Sequence, residues 1–168
     1  MLIKTLSGKK YMPGIRGQAI VEFAIALPVL MVLLVGLLEV GRMVFIFSAV
    51  NNASREAVRY ASAIGLDESG NNKYQYCDGI RNMARRSAFF LNLADGDISV
   101  AYDHGPGTES YDTCSGSVDT AVDVSTGDRV LVTVTATYGP MVNLIPITTR
   151  TVTSSSSRTI MGIVLLEP

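Results

Sequence analysis

Arg16-Gly17-Gln18-Ala19-Ile20-Val21-Glu22 runs without a break into Phe23-Ala24-Ile25-Ala26-Leu27-Pro28-Val29-Leu30-Met31-Val32-Leu33-Leu34-Val35-Gly36-Leu37-Leu38, and the reading of this stretch decides the fold. From Ala19 to Leu38 only Glu22 carries a charge. About 20 residues of helix rise roughly 30 Å, the thickness of a hydrocarbon core, so the run predicts a membrane span over residues 19–38. Pro28 removes one backbone hydrogen bond inside that helix and predicts a bend. Gly36 and Gly41 allow a close helical neighbour.

On the amino-terminal side, Lys4, Lys9, Lys10 and Arg16 precede every acid in the chain, and Pro13-Gly14 is a turn signal. Residues 1–17 therefore read as a basic, cytoplasmic leader, because positive charge is retained on that side of the membrane. A cleaved secretory signal shares the basic start and the apolar core. Here the apolar stretch is long for such a signal, and no small-x-small cleavage site follows it before a polar helix begins.

On the carboxyl side the helix continues. Glu39 and Arg42 stand three residues apart and can pair at the outer membrane interface. Val50, Ala53, Ala57, Tyr60 and Ile64 then recur at three- and four-residue steps, with Asn51, Asn52, Arg55, Glu56 and Arg59 between them. Gly65 suits the position that closes a helix. The expectation is one helix over residues 18–64, membrane-spanning first and amphipathic afterwards.

Residues 65–168 then form a small extracytoplasmic α+β domain with an antiparallel sheet. Asp67 to Lys73 reads as a loop. Asp78, as the cap, opens a second helix reaching about Leu93, with Ile80, Met83, Ala84, Ala88 and Leu91 buried. Its Arg81, Arg85 and Arg86 read as a solvated basic face, with lipid headgroups or an acidic neighbour as the alternative. Ile98, Val100 and Tyr102 alternate as in a short strand. Asp103 to Gly127 reads as a long surface loop, with a further short strand over Val118 to Val124. Arg129 to Tyr138 is the clearest strand, with Val130, Val132, Val134, Ala136 and Tyr138 on one face, and it should be central. Thr148 to Met161 is a Thr- and Ser-rich strand expected at the periphery, its register weakly specified.

The 14 basic and 15 acidic residues nearly balance, but four of the basic ones lie in the leader. Without it the chain is acidic and offers nucleic acid no electrostatic reason to bind. Cys77 and Cys114 fall in the exported part, where an oxidising compartment lets them pair; two buried free thiols are the alternative. Closing that loop is worth roughly 4 kcal/mol in the chain-entropy model. His104 is the lone histidine, in a Gly-Pro loop, and no zinc-protease, nucleophile-elbow or phosphate-binding motif is present. Asp103, Glu109, Asp112, Asp119, Asp123 and Asp128 lack the spacing of a calcium loop, so a solvated loop is the simpler reading. Nothing calls for a cofactor, a metal or an enzyme.

Glu22 needs an explanation, since a carboxylate at the start of a membrane helix is costly unless it is interfacial, protonated or paired. The helix dipole and headgroup water supply one account. A cut after Gly17 supplies another, because the new amine on Gln18 would be a cation four residues from Glu22 on the same helical face. Gly17, Gln18 and Glu22 ahead of an apolar helix resemble the processing site of type IV pilins. The longer motifs, Arg16 to Ala24, Leu27-Pro28, Glu39-Val40-Gly41-Arg42 and Ala53-Ser54-Arg55-Glu56-Ala57-Val58-Arg59-Tyr60-Ala61, resemble the TadE-like family, minor pilin-like proteins of tight-adherence (Flp) pilus systems. Phe23 takes the place where that family often carries Tyr after the acid. Arg158-Thr159 and Glu167 are a weaker echo.

The resemblance implies cleavage between Gly17 and Gln18 by a prepilin peptidase, with Glu22 as the assembly acid. It implies a minor pseudopilin anchored in the bacterial inner membrane by a single pass, amino end in the cytoplasm. The partners it implies are other pilins or pseudopilins, the pilus assembly platform and the lipid bilayer. An uncleaved, membrane-anchored extracytoplasmic binding domain is the competing reading.

Overall fold

The computed structural model describes residues 15–67, 70–114, 124–141 and 148–162. The first helix, α1, runs from Ile15 to Ala61 with Pro28 inside it. The chain divides into two compact units, Met1–Val40 and Gly41–Pro168.

In the first unit the helical residues from Ile20 to Val40 find no core. Leu33 is 65% exposed, Leu38 72% and Phe23 66%. The apolar character goes all round the helix, the pattern of a segment whose solvent is not water.

The second unit builds one hydrophobic core under a four-stranded antiparallel sheet of order β2-β1-β3-β4. Its strands are β1 (Ile98–Asp103), β2 (Asp112–Thr113), β3 (Arg129–Tyr138) and β4 (Arg150–Thr159). The second helix, α2, spans Cys77–Ser87 and is followed by a short 3-10 turn over Phe89–Leu91. With the long helix, this is the α+β arrangement expected of the sequence. β3 is central, and its alternation places Val130, Val132, Val134, Ala136 and Tyr138 in the core. β4 pairs with β3 along its whole length, from Arg129 opposite Thr159 to Tyr138 opposite Arg150, and forms the sheet edge.

Several local expectations are corrected. α1 ends at Ala61, so Ile64 lies beyond it and is 55% exposed instead of closing the buried stripe. That stripe instead contains Ile46, Ala49, Val50, Ala53, Ser54, Ala57, Val58 and Ala61. Small residues dominate because they let a helix approach a sheet closely. In α2 the cap position is Tyr76, with Asp78 in the first turn, and the α-helix stops at Ser87 rather than near Leu93. Arg81 is not on a solvated face: it is buried, and its Nη2 donates to the Cys114 carbonyl. The Asp103 to Gly127 region contains β2, where Ala101 faces Thr113 and Tyr102 faces Asp112. Val124 is buried, while the rest of the strand expected over Val118 to Val124 lies outside the described residues.

A disulfide joins Cys77 to Cys114 across 5.6 Å between Cα atoms and 37 positions of sequence. It ties the start of α2 to the segment after β2, where the Cys114 N–H also donates to the Val100 carbonyl at 3.0 Å. Gly79 shows how tightly this corner is packed. A Cβ there would lie 2.4 Å from a Tyr76 ring carbon and 2.9 Å from the Tyr60 hydroxyl.

Candidate processing and assembly segment

Gly17 and Gln18 both lie in the opening turn of α1, which begins at Ile15. Helix ends fray, so this turn is the easiest part of the helix to open. Gln18 Nε2 donates to Glu22 Oε1 at 3.0 Å, and both residues are exposed. Residues four apart stack on one helical face, so the long Gln18 side chain reaches the Glu22 carboxylate. Ile25, Ala26, Val29, Leu30 and Leu33 continue from Glu22 as an open apolar groove.

Glycines mark the helix at Gly17, Gly36 and Gly41, and a Cβ built at any of them would meet nothing within 4 Å. Among the described residues, no packing accounts for the missing side chains. Among the described residues, one helix is long and apolar enough to cross a membrane, with a mean hydropathy of 2.6 over its best window.

Glu39 lies at the end of the first unit and Arg42 at the start of the second. The Arg42 guanidinium donates to the Gly139 carbonyl at 2.8 Å and sits 5.4 Å above the Tyr138 ring centre. A cation on an aromatic face gains a modest electrostatic stabilisation.

Two polar clusters of the second unit escaped the sequence reading. Asp103, 2% exposed, accepts from Arg129 Nε at 2.9 Å and Nη2 at 2.7 Å, and from the Gly105 N–H at 3.0 Å. The Arg129 hydrogen bonds hold its carboxyl below the ordinary 3.8, against the opposing effect of burial. The same pairing raises Arg129. Nearby, Asp128 accepts from the Tyr111 hydroxyl at 2.7 Å and the Ser125 N–H at 2.8 Å, and its Oδ1 lies 2.9 Å from His104 Nδ1. Tyr111 leads the causes that lower the Asp128 carboxyl, ahead of His104 and Ser125 and again against burial. His104 stacks on Tyr111 with ring centres 4.4 Å apart.

These two carboxylates are thus engaged inside the fold, and among the described residues no group of three or more His, Cys, Asp or Glu could hold a metal ion. Asp103-His104 and Asp128-Arg129, two acid–base neighbours in sequence that exchange partners in the fold, were the one available signal. It becomes legible only once β1 and β3 are aligned with Asp103 opposite Arg129.

The second cluster joins α1 to the sheet edge. Ser54 Oγ lies 3.1 Å from Ser154 Oγ and 2.9 Å from Ser156 Oγ, and Ser154 donates to Asn51 Oδ1 at 2.9 Å. On the opposite face, Thr133 donates to Ser155 at 3.0 Å. The serine run is therefore not a uniformly solvated ladder: alternate hydroxyls face the helix and fix the register that apolar side chains leave open.

No curated protein and no solved structure matches the chain. Residues 17–59, which hold the Gln18–Glu22 pair, the apolar run and the Ser54 contact, match the family model described as TadE-like protein, and over this segment the chain is similar to that family.

Proposed function

We propose that the chain is a minor pseudopilin of a tight-adherence (Flp) pilus, cut by a prepilin peptidase between Gly17 and Gln18. In this reading residues 1–17 are the leader, 18–64 the helix with its span over 19–38, and 65–168 the outer domain. The protein sits in the bacterial inner membrane as a single pass with its amino end in the cytoplasm. Its work is structural rather than enzymatic: other pilins or pseudopilins, the assembly platform and the bilayer are the partners.

The observation that carries this reading is the Gln18–Glu22 hydrogen bond at 3.0 Å on a helix whose apolar side chains remain exposed. Before cleavage the Gln18 amide answers the Glu22 carboxylate. Cleavage adds an α-amine at the same place, and with an ordinary pKa near 8 it is largely cationic at neutral pH. Two unit charges about 4 Å apart attract by about 4 kcal/mol at an effective dielectric of 20, before the cost of removing them from water. An amine on a neighbouring helix can meet Glu22 in the same way, which couples processing to association. Gly36 and Gly41 would supply close approach between helices, and Glu39 and Arg42 are the charged residues proposed for the outer membrane interface.

Replacing Glu22 tests this directly. Glu22→Ala should insert and be processed but lose pilus formation, and Glu22→Gln should lose it too, because the amide keeps the size and removes the charge. Normal piliation with both variants would overturn the assembly role of Glu22.

A further inference from the structure

The second unit leaves a compact group of aromatic rings in the open. Phe45 of α1 stacks on Phe90 with ring centres 4.5 Å apart and planes 26° apart, and Phe89 meets Phe90 edge-on at 5.5 Å. Phe89 is 82% exposed, Phe45 58% and Phe90 41%. Met43 and Met141 are exposed as well. Met141 closely follows Gly139, whose carbonyl accepts from Arg42, so the turn after β3 approaches the same stretch of α1. A clustered group of large apolar side chains left exposed marks an interaction surface.

Charge narrows the choice of partner. Arg86 is exposed on α2, one turn before the Phe89-Phe90 tip. Arg150 opens β4 opposite Tyr138, the ring under Arg42. Of the described acids near this end, Asp95 pairs with Arg85 and Asp97 accepts from the Ala94 N–H at 2.9 Å, while Glu39 stands on α1 three residues before Arg42. Asp103 and Asp128 lie at the opposite end of β3, which begins at Arg129. An aromatic tip with a cationic rim suits a surface of acyl chains beneath anionic headgroups.

Position agrees with charge. Phe45 follows Leu38, the end of the apolar run, by a helical rise of about 10 Å, which reaches the outer edge of the headgroup layer. Helical side chains lean toward the amino end of their helix, here back toward the bilayer. A second copy is the less suitable occupant. A stable interface takes about 800 Å² per partner, whereas three part-exposed rings at roughly 200 Å² each offer less, and the cationic rims of two copies would repel.

We propose that Phe45, Phe89 and Phe90 form a foot by which the outer domain rests on the anionic surface of the membrane, with the rings, Arg86 and Arg150 in the headgroup layer. This rests on reading α1 as a membrane span. The foot gives the outer domain a second attachment to the bilayer besides the span.

The chain contains no tryptophan, so a single introduced one reports its own surroundings. The full-length protein is reconstituted into phosphatidylcholine–phosphatidylglycerol vesicles containing lipids brominated at set depths, with one tryptophan placed by Leu33→Trp, Phe89→Trp or Thr108→Trp. Leu33→Trp reports the span and Thr108→Trp a loop at the far end of β3. Phe89→Trp should be quenched by shallow bromines at least about twofold more than Thr108→Trp, as an interfacial ring should be. Adding Arg86→Glu should reduce that quenching in vesicles containing phosphatidylglycerol.

Quenching of Phe89→Trp no greater than that of Thr108→Trp, with Leu33→Trp quenched by deep bromines, overturns the foot and leaves the span standing. A blue-shifted but unquenched Phe89→Trp whose emission changes on dilution into lipid would seat a second copy there, and also overturns it. An unquenched Leu33→Trp removes the span itself, and the foot with it.

Discussion

The two halves of α1 obey opposite rules of side-chain size. Before Val40 the helix carries Leu, Ile, Val and Phe that stay exposed, whereas after Gly41 its inner face carries Ala49, Ala53, Ser54, Ala57 and Ala61, each no more than 8% exposed. Among the described residues the bulky side chains of the first half find no cover, whereas in the second half small side chains, with Ile46, Val50 and Val58 among them, are buried in the core. A helix destined only for a protein core would need the second rule throughout. The first half therefore has another environment, and lipid and neighbouring helices are the partners its apolar surface suits.

That contrast can be broken at either half. The largest expected effect is that of Leu33→Arg, which places a charge in the middle of the apolar run and should cost about 3 kcal/mol of membrane insertion. Carbonate extraction should move the variant toward the soluble fraction, while thermal unfolding of the outer domain followed by near-ultraviolet circular dichroism stays unchanged. The reverse pattern is expected for Ala57→Leu. Its added methylenes have no room against the sheet and should destabilise the domain by about 2 kcal/mol in urea titration, with insertion unaffected. Equal loss of domain stability for the two variants would end the division of α1 into two environments.

Acid should lower the stability of the second unit. Asp103 and Asp128 have carboxyls lowered from the ordinary 3.8, so their contribution is fully present above that value and is lost as pH falls through the lower folded values. Domain stability should hold flat from neutral pH down to about 5 and fall below about 4. Asp103→Asn should flatten part of that fall, at a cost to stability at neutral pH. The smallest effect is expected at the helix–sheet seam, where Ser154→Ala should cost about 1 kcal/mol by taking hydroxyl partners from buried Ser54 and from Asn51. Hydrogen exchange should then quicken in β4 before the rest of the sheet.

What could be read from the chain follows the physics of each element. β3 was legible on both faces because its Val-x-Val-x-Val alternation directly records burial. The apolar run was legible because composition alone picks out a helix long and apolar enough to cross a membrane. The α1 stripe was only half legible, since Ser54 looks polar in sequence and becomes core through hydroxyls a hundred residues away. Arg81 misled for the same reason: its buried guanidinium is answered by the Cys114 carbonyl, which no local pattern announces. The two-residue β2 and the Asp128, Tyr111 and His104 cluster depend on alignment across strands, which periodicity within one strand does not carry. At the candidate site, the spacing of Gln18 and Glu22 already implied a shared face, and the 3.0 Å hydrogen bond gives that face a contact.

The central claim concerns a single peptide bond. Intact-mass and amino-terminal peptide mass spectrometry of the protein, purified from cells with and without active prepilin peptidase, tests it most directly. The account predicts a mature chain beginning at Gln18 when the peptidase is active and at Met1 when it is not. A chain beginning at Met1 in both would contradict it and leave an uncleaved, membrane-anchored domain.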